Sequence, residues 1–243
     1  MRYGILSDVH GNLEALEAVL AYFAKEKLDG LLFLGDAVGY GANPNEVCER
    51  LRPLVQHGVV GNHDAAVSGR MDYTDYYDAA RHALDWCASQ LSAENLEWLR
   101  RLPYKVRLGA VEISHGSPIL PEAFDYLFTA DQVVGLLPDY DTLADVTLIG
   151  HSHLTVAFEI SDDLVAPMIQ SQIVIKPGHK YIITVGSVGQ PRDRDPRSCC
   201  GILDTDKRVF TYHRLDYDRE TTRKKIVKAG LAPVFGDRLL VGM

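Results

Sequence analysis

Seven residues able to hold a metal ion recur in five short blocks: Asp8-Val9-His10, Gly35-Asp36, Gly61-Asn62-His63-Asp64, His115-Gly116 and Gly150-His151-Ser152-His153. The seven are Asp8, His10, Asp36, Asn62, His115, His151 and His153. Carboxylate, imidazole and amide oxygen together suit a borderline divalent ion such as Mn, Fe, Co, Ni or Zn. One ion does not need so many ligands. Two ions about 3.5–4 Å apart, sharing one carboxylate, would use them all. Such a pair lowers the pKa of a bound water, so that hydroxide exists near neutral pH, and it neutralises phosphoryl oxygens during in-line displacement. The chemistry implied is attack of water on a phosphate ester. Singly each block is weak, since Asp-x-His and Gly-Asp are common. The order of five blocks carries the reading.

The blocks have to be positioned, and the intervening sequence says how. Residues 3–6 form a short apolar run that reads as a buried strand. Leu13, Leu16, Val19, Leu20 and Phe23 recur at helical spacing, which predicts a helix over about 12–27. A strand over 30–34 follows, then a helix with Asn43 as N-cap, Pro44 at the first position and Glu46 completing a capping box. Val59-Val60 reads as the third strand. This β-α-β-α-β alternation implies a parallel sheet with right-handed crossovers. Ligands of open α/β sheets bind beyond the carboxyl ends of the strands, so the blocks that follow the strands aim at one edge.

Residues 76–101 read as helical, broken near Ser92 and ended by Pro103, with Ala79, Ala83, Trp86 and Leu91 on one apolar face. The second half reads differently. Strands are expected over 106–108, 111–114, 146–149, 156–160, 173–175, 181–185, 201–203 and 209–213. Helices are expected only over 131–137, behind a Thr129/Gln132 capping box, and over 219–228. Hairpins and a mixed sheet follow from that pattern. The stretch 162–180 carries turn signals at Asp162-Asp163 and Pro177-Gly178 and is the least defined. There is no repeat and no linker, so residues 1–243 are read as one domain.

The chain of 243 residues has 25 Lys and Arg against 33 Asp and Glu, a formal charge of −8. That balance lacks the basic stripe of a nucleic-acid binder, so nucleic acid is not the expected partner. A metal pair would still make its own pocket positive. No apolar run approaches membrane-span length, and no signal segment precedes the first block. Cysteines at 48, 87, 199 and 200 form no C-x-x-C pair and read as free thiols of a reducing cytoplasm, not as zinc ligands. The sequence sets no oligomeric state.

The blocks D-x-H, G-D, G-N-H-[DE], H-G and G-H-x-H, in this order, resemble the calcineurin-like metallophosphoesterases. Gly35-Asp36-Ala37-Val38-Gly39-Tyr40-Gly41 and Gly186-Ser187-Val188-Gly189-Gln190-Pro191-Arg192-Asp193 look like a prokaryotic subgroup of small phosphoesterases. The resemblance implies an α/β, or mixed α+β, fold: a four-layer αββα sandwich of two mixed sheets flanked by helices. It implies that Asp8, His10 and His153 bind one metal, that Asn62, His115 and His151 bind another, and that Asp36 bridges them. His63 would act as general acid or phosphate contact, and Asp64 would accept from its far nitrogen and keep it protonated. Serine/threonine phosphatases of this superfamily carry phosphate-gripping arginines after the G-D block and within G-N-H-E. Here Ala37-Val38 and Ala65-Ala66 follow those blocks. Arg192 is the candidate to bind substrate phosphate instead. The expected substrate is a small phosphorylated molecule, a phosphodiester or nucleotide.

Other residues have plainer readings. His57, His82, His179 and His213 fall outside the blocks and read as surface, helix-face or strand-end residues. Trp86 and Trp98 read as core anchors. Tyr73, Tyr76 and Tyr77 could line a substrate lid, and Tyr40, close behind Asp36, could approach the pocket. Lys224, Lys225 and Lys228 read as a solvated helix face. A non-catalytic interaction scaffold on the same fold, or a nuclease of the same superfamily, are the alternatives. An intact ligand set beside His63 favours the enzyme.

Overall fold

The computed structural model describes residues 1–161 and 164–243. Its first half contains β1 (Arg2–Leu6), α1 (Leu13–Phe23), β2 (Gly30–Phe33), α2 (Pro44–Leu51), β3 (Val55–Gly58), α3 (Asn62–Val67), α4 (Asp78–Gln90) and α5 (Ala93–Arg101). The strands β1, β2 and β3 pair in parallel, as the alternation predicts. Asn12 caps α1, its side-chain oxygen accepting from the Ala15 N–H at 3.1 Å. The helix ends at Phe23, not near 27, because Arg2 grips the Lys27 carbonyl and the Glu26 carboxylate and turns the chain into β2.

Three local expectations change. The third strand is Val55–Gly58, ahead of Val59-Val60. Val59 still donates to Phe33, but the Val60 N–H is taken by the Pro103 carbonyl, which draws the chain off the ladder. At α2 the capping box does not form. Asn43 donates its side-chain amide to Glu46 and accepts from Lys225 instead. Lys225 also pairs with Glu14, so it ties helices together instead of standing in solvent. The buried face of α4 is Ala80, Ala83, Leu84 and Cys87, one position round from the expected stripe.

The second half contains β4 (Lys105–Leu108), β5 (Val111–Ser114), α6 (Ala130–Val134), β6 (Val146–Ile149), β7 (Thr155–Ser161), β8 (Leu164–Met168), β9 (Gln172–Val174), β10 (Lys180–Val185), β11 (Ser198–Asp204), β12 (Val209–Leu215), α7 (Arg219–Lys228) and α8 (Pro233–Leu239). The Thr129/Gln132 box forms as expected. The α6 helix stops early, and a 3₁₀ turn over Leu137–Thr142 replaces its end where Pro138 removes a backbone donor. The ill-defined stretch supplies β8 and β9. The turn expected at Asp162-Asp163 lies outside the described residues. Neither α3 nor α8 was expected, both being too short to show a period.

Two six-stranded sheets result, in the orders β3-β2-β1-β11-β12-β9 and β4-β5-β6-β10-β7-β8. Both are mixed: β5, β6 and β10 run parallel, while β11 runs antiparallel to β1. Their inner faces share one apolar layer in which Ile5 and Leu32 meet Ile113, Leu148, Tyr181 and Ile183. On the outside, Leu6 and Phe33 pack under Leu16, Val19, Leu84 and Cys87 of the helices. The far face, with Phe158, Ile160 and Ile182, packs under Val133 and Leu136. This is the expected four-layer sandwich. All four cysteines are buried free thiols. Among the described residues no helix is long and apolar enough to cross a membrane.

Phe210 of β12 is wholly buried in the layer between the sheets. Phe210→Ala should lower unfolding free energy by about 3–5 kcal/mol, read from urea titration. A loss below about 1 kcal/mol would mean that the layer closes over the gap and does not clamp the sheets.

Candidate active site

The parallel strands of both sheets point their carboxyl ends at one edge, and the blocks emerge there. Asp8 and His10 follow β1, Asp36 follows β2, His115 follows β5, and His151 and His153 follow β6. Gly61 is the N-cap of α3, so Asn62 and His63 begin a helix instead of ending a strand. Five of the seven expected ligands hold left-handed backbone: Asp8 (φ 54°), His10 (φ 50°), Asp36 (φ 59°), His151 (φ 64°) and His153 (φ 58°). Such residues cost about 1–3 kcal/mol each and persist where surrounding structure fixes them. Here the fixing is visible. Asp8 N donates to Gly35 O at 2.9 Å and His10 N to Asp36 O at 3.0 Å. His151 N donates to the Asp8 carboxylate at 3.2 Å, joining the two sheets. A β-carbon at Gly61 would overlap Asp36 Oδ1, so only glycine lets that carboxylate reach the His63 N–H at 2.9 Å.

All seven side chains are buried. Their ligand atoms fall into groups within 4.8 Å of one another: Asp8, His10 and His153, and then Asp36, His115 and His151. Asn62 Oδ1 lies 3.0 Å from His115 Nε2 and joins the second group. Asp36 Oδ2 is 3.6 Å from His10 Nε2 and 3.3 Å from His115 Nε2, so it stands between the two.

The donor chemistry fits divalent cations. His10, His115 and His153 each set Nδ1 against a backbone carbonyl: Val38 at 2.9 Å, Leu34 at 2.7 Å and Gln190 at 2.6 Å. A carbonyl can only accept, so each Nδ1 carries hydrogen; in the neutral rings of His10 and His153 Nε2 then turns a lone pair inward, and in His115 it faces Asp36. His10 Nε2 and His153 Nε2 are 3.1 Å apart. Two lone pairs at that distance repel, as do two buried carboxylates, and a shared cation reconciles them. Protons fill that role poorly. Burial lowers the pKa of His10, His151 and His153. At His115 burial is outweighed by Asp36 and Asp8, which push it up to about 9, so this ring shares a positive charge with Asp36.

One expected contact is absent. Asp64 does not touch His63. Its carboxylate accepts from the backbone N–H of Asp36 at 2.8 Å and of Val38 and Gly61 at 3.3 Å. The cause is geometric: Asp64 is the third residue of α3, and its side chain turns back to the helix start and the neighbouring loop. Burial and the Asp36 carboxylate raise its pKa to about 7, against its backbone donors. His63 Nδ1 is buried with no partner among the described residues. Burial takes the His63 pKa to about 4, with the Arg192 guanidinium adding to the fall and Asp36 opposing it. Nothing therefore holds His63 protonated in advance. Its ring is fixed by packing, 4.6 Å from the Tyr40 ring and 4.8 Å from the His10 ring.

A cavity of about 540 Å³ opens over the cluster, lined by His63, Tyr76, Tyr77, Tyr126, Arg192 and Arg238 among others. Arg192 reaches it, held by Gln190 Oε1 at 2.8 Å with its guanidinium 5.8 Å from the Tyr40 ring centre. Tyr40 lines the cavity too, whereas Tyr73 bonds Asp85 away from it. Tyr126, stacked on His151 at 3.8 Å, and Arg238 carry no motif and were missed. Tyr76 does more than line the wall. Its hydroxyl accepts from Asn62 Nδ2 at 2.7 Å, which turns Asn62 Oδ1 to the cluster.

Comparison with known proteins shows the family of this chain. The family model for calcineurin-like phosphoesterases matches residues 1–155. An uncharacterized protein of Methanocaldococcus jannaschii is 36% identical over 98% of this chain and 97% of its own. Phosphodiesterase YfcE of Escherichia coli is 27% identical over 85% of this chain and 89% of its own. A crystal structure of a metallophosphoesterase from Sphaerobacter thermophilus is 37% identical, covers 100% of this chain and 99% of that one, and superposes with a TM-score of 0.87.

The Asn62–Tyr76 bond gives a direct test. Tyr76→Phe frees the Asn62 amide to turn its NH₂ group inward and should weaken Mn or Zn binding about 10–100-fold in calorimetric titration, with the thermal midpoint of the metal-free protein little changed. Unaltered affinity would mean that Asn62 is oriented without the hydroxyl.

Proposed function

The chain belongs to the calcineurin-like phosphoesterases and is a hydrolase of phosphate ester bonds; from that premise we propose that it cleaves a phosphodiester or small nucleotide at a centre of two divalent transition-metal ions. The observation that carries this is the facing pair His10 Nε2 and His153 Nε2, beside Asp8 and next to a second group built on Asp36. Asp8, His10 and His153 would hold one ion and Asn62, His115 and His151 the other, with Asp36 between. When bound, such a pair supplies hydroxide near neutral pH and neutralises the phosphoryl oxygens.

The chain's own residues do the rest. The three carbonyl-held imidazoles keep their Nε2 atoms aimed inward, so the rings need no turning on loading; His10 and His153 are neutral beforehand, and His115 gives up its Nε2 proton when the ion binds. Asp64 pins the backbone on either side of Asp36 and so fixes the shared carboxylate. His63, on the cavity wall, contacts the phosphoryl group. An arriving phosphoryl anion would raise its low pKa and let it hand a proton to the leaving oxygen, so substrate charge takes the part that Asp64 does not play. Arg192 binds the non-bridging oxygens. Gln190 serves both ends of this arrangement, its backbone carbonyl holding His153 and its side chain holding Arg192. A small substrate fits the cavity of about 540 Å³ and the lack of arginines after the second and third blocks.

Two variants test the assignment. His63→Ala should cut kcat about 10²–10⁴-fold on a nitrophenyl phosphodiester while the protein still binds two ions per chain by elemental analysis. Loss of an ion would make His63 a ligand. Arg192→Ala should raise KM by about tenfold or more, and unchanged kinetics would remove it from the substrate site.

A further inference from the structure

The cavity holds a second arginine that hydrolysis of a single phosphate does not require. Arg238 lies on α8, whose Phe235 packs 4.9 Å from the Tyr40 ring, and Tyr40 in turn packs on His63. Three residues on from Phe235, Arg238 comes to the same side of the helix and lines the cavity. The segment after it is tied to the Arg192 loop, since Arg194 N donates to Gly242 O at 2.8 Å. The two arginines are thus set on one framework. Their surroundings differ. Arg192 is held by Gln190 and lines the cavity together with His63 and His153 of the cluster. Arg238 is half-buried and its guanidinium makes no hydrogen bond or ion pair among the described residues.

An arginine half-shielded from water, unpaired and facing a cavity is a ready anion site, because planar bidentate recognition needs no other donor. We propose that Arg238 binds a second anionic group of the substrate, a phosphate or carboxylate carried beyond the ester that is cleaved, and so selects doubly anionic phosphate esters. This rests on the cavity being the site of diester hydrolysis. The competing reading is local: a cation in the last turn of α8 stabilises that helix through its dipole.

The experiment compares the p-nitrophenyl ester of thymidine 5′-phosphate with and without a 3′-phosphate, on Mn-loaded wild-type, Arg238→Gln and Arg238→Lys proteins. Wild type should show the lower KM for the doubly phosphorylated ester. Arg238→Gln should raise that KM about tenfold or more beyond any change for the simple ester, and Arg238→Lys should recover part of it. Equal changes for both esters, or a lowered thermal midpoint without a change in the ratio, overturn the proposal in favour of the helix-end cation. A binding arm separates it from the hydrolytic reading. Methylenediphosphonate should gain more affinity over methylphosphonate in wild type than in Arg238→Gln by calorimetry. If that holds while neither ester is cleaved, diester hydrolysis fails and the anion site stands. If both esters are cleaved and the affinity ratio is the same in both proteins, the anion site fails and hydrolysis stands.

Discussion

Everything at this edge of the molecule depends on burying Asp8 and Asp36 beside four imidazoles. Taking an ionised carboxylate out of water costs several kcal/mol even after relaxation, and two close together add mutual repulsion. Backbone donors meet part of the demand: His151 N for Asp8, His63 N for Asp36. A proton on His115 meets some of the rest, but burial depresses the pKa of His10, His151 and His153 and works against further protons. Divalent cations are the remaining counter-charge, and the inward Nε2 atoms are arranged to receive them. The positive local field that an acidic chain otherwise lacks would come from those ions and from Arg192.

The strained backbone follows from the same demand. Side chains that leave four strand ends of two different sheets and the start of α3 must converge within a few ångströms, and left-handed turns at Asp8, His10, Asp36, His151 and His153 bend the chain that sharply. At about 1–3 kcal/mol per residue this strain could not persist on mobile loops. It persists because the sheets are rigid and cross-linked through the site itself. The Asp8 carboxylate, leaving the first sheet, receives an N–H from His151 of the second, and His115 of the second donates to Leu34 of the first. The apolar layer between the sheets and the polar cluster at its edge therefore support one another.

Much of this was legible in the sequence, for physical reasons. The ligands are legible because metal chemistry restricts residue type, and because strand ends in α/β sheets fix where those types collect. Most strands of the second half appear nearly at their bounds, since short β-branched runs between turn residues allow few other readings, but β8 was not expected and β11 begins three residues before the expected 201. Elsewhere the sequence was silent or misleading. Val60 left its strand because one carbonyl, that of Pro103, stood in the way of the ladder. The family resemblance pairs Asp64 with His63, whereas the first turn of α3 turns the Asp64 carboxylate back to the backbone of Asp36, Val38 and Gly61. The α8 helix, with only Phe235, Gly236 and Leu239 buried, is too short for periodicity, so Arg238 could not be foreseen.

The least legible part of the site is also the part that sets its chemistry. The groups that fix the histidine tautomers are main-chain carbonyls of Leu34, Val38 and Gln190, and a carbonyl has no residue type to read. They come from the end of β2, the loop beyond it and the loop after β10, so they are correctly placed only when the backbone runs beyond β2 and β10 are correctly set. A chain could keep all seven ligand residues and still lose the centre through a one-residue slip in β10, which would withdraw the Gln190 carbonyl from His153 and the Gln190 side chain from Arg192 together. The ligand set is thus a necessary signature of this centre, and the backbone behind it is what makes the signature sufficient.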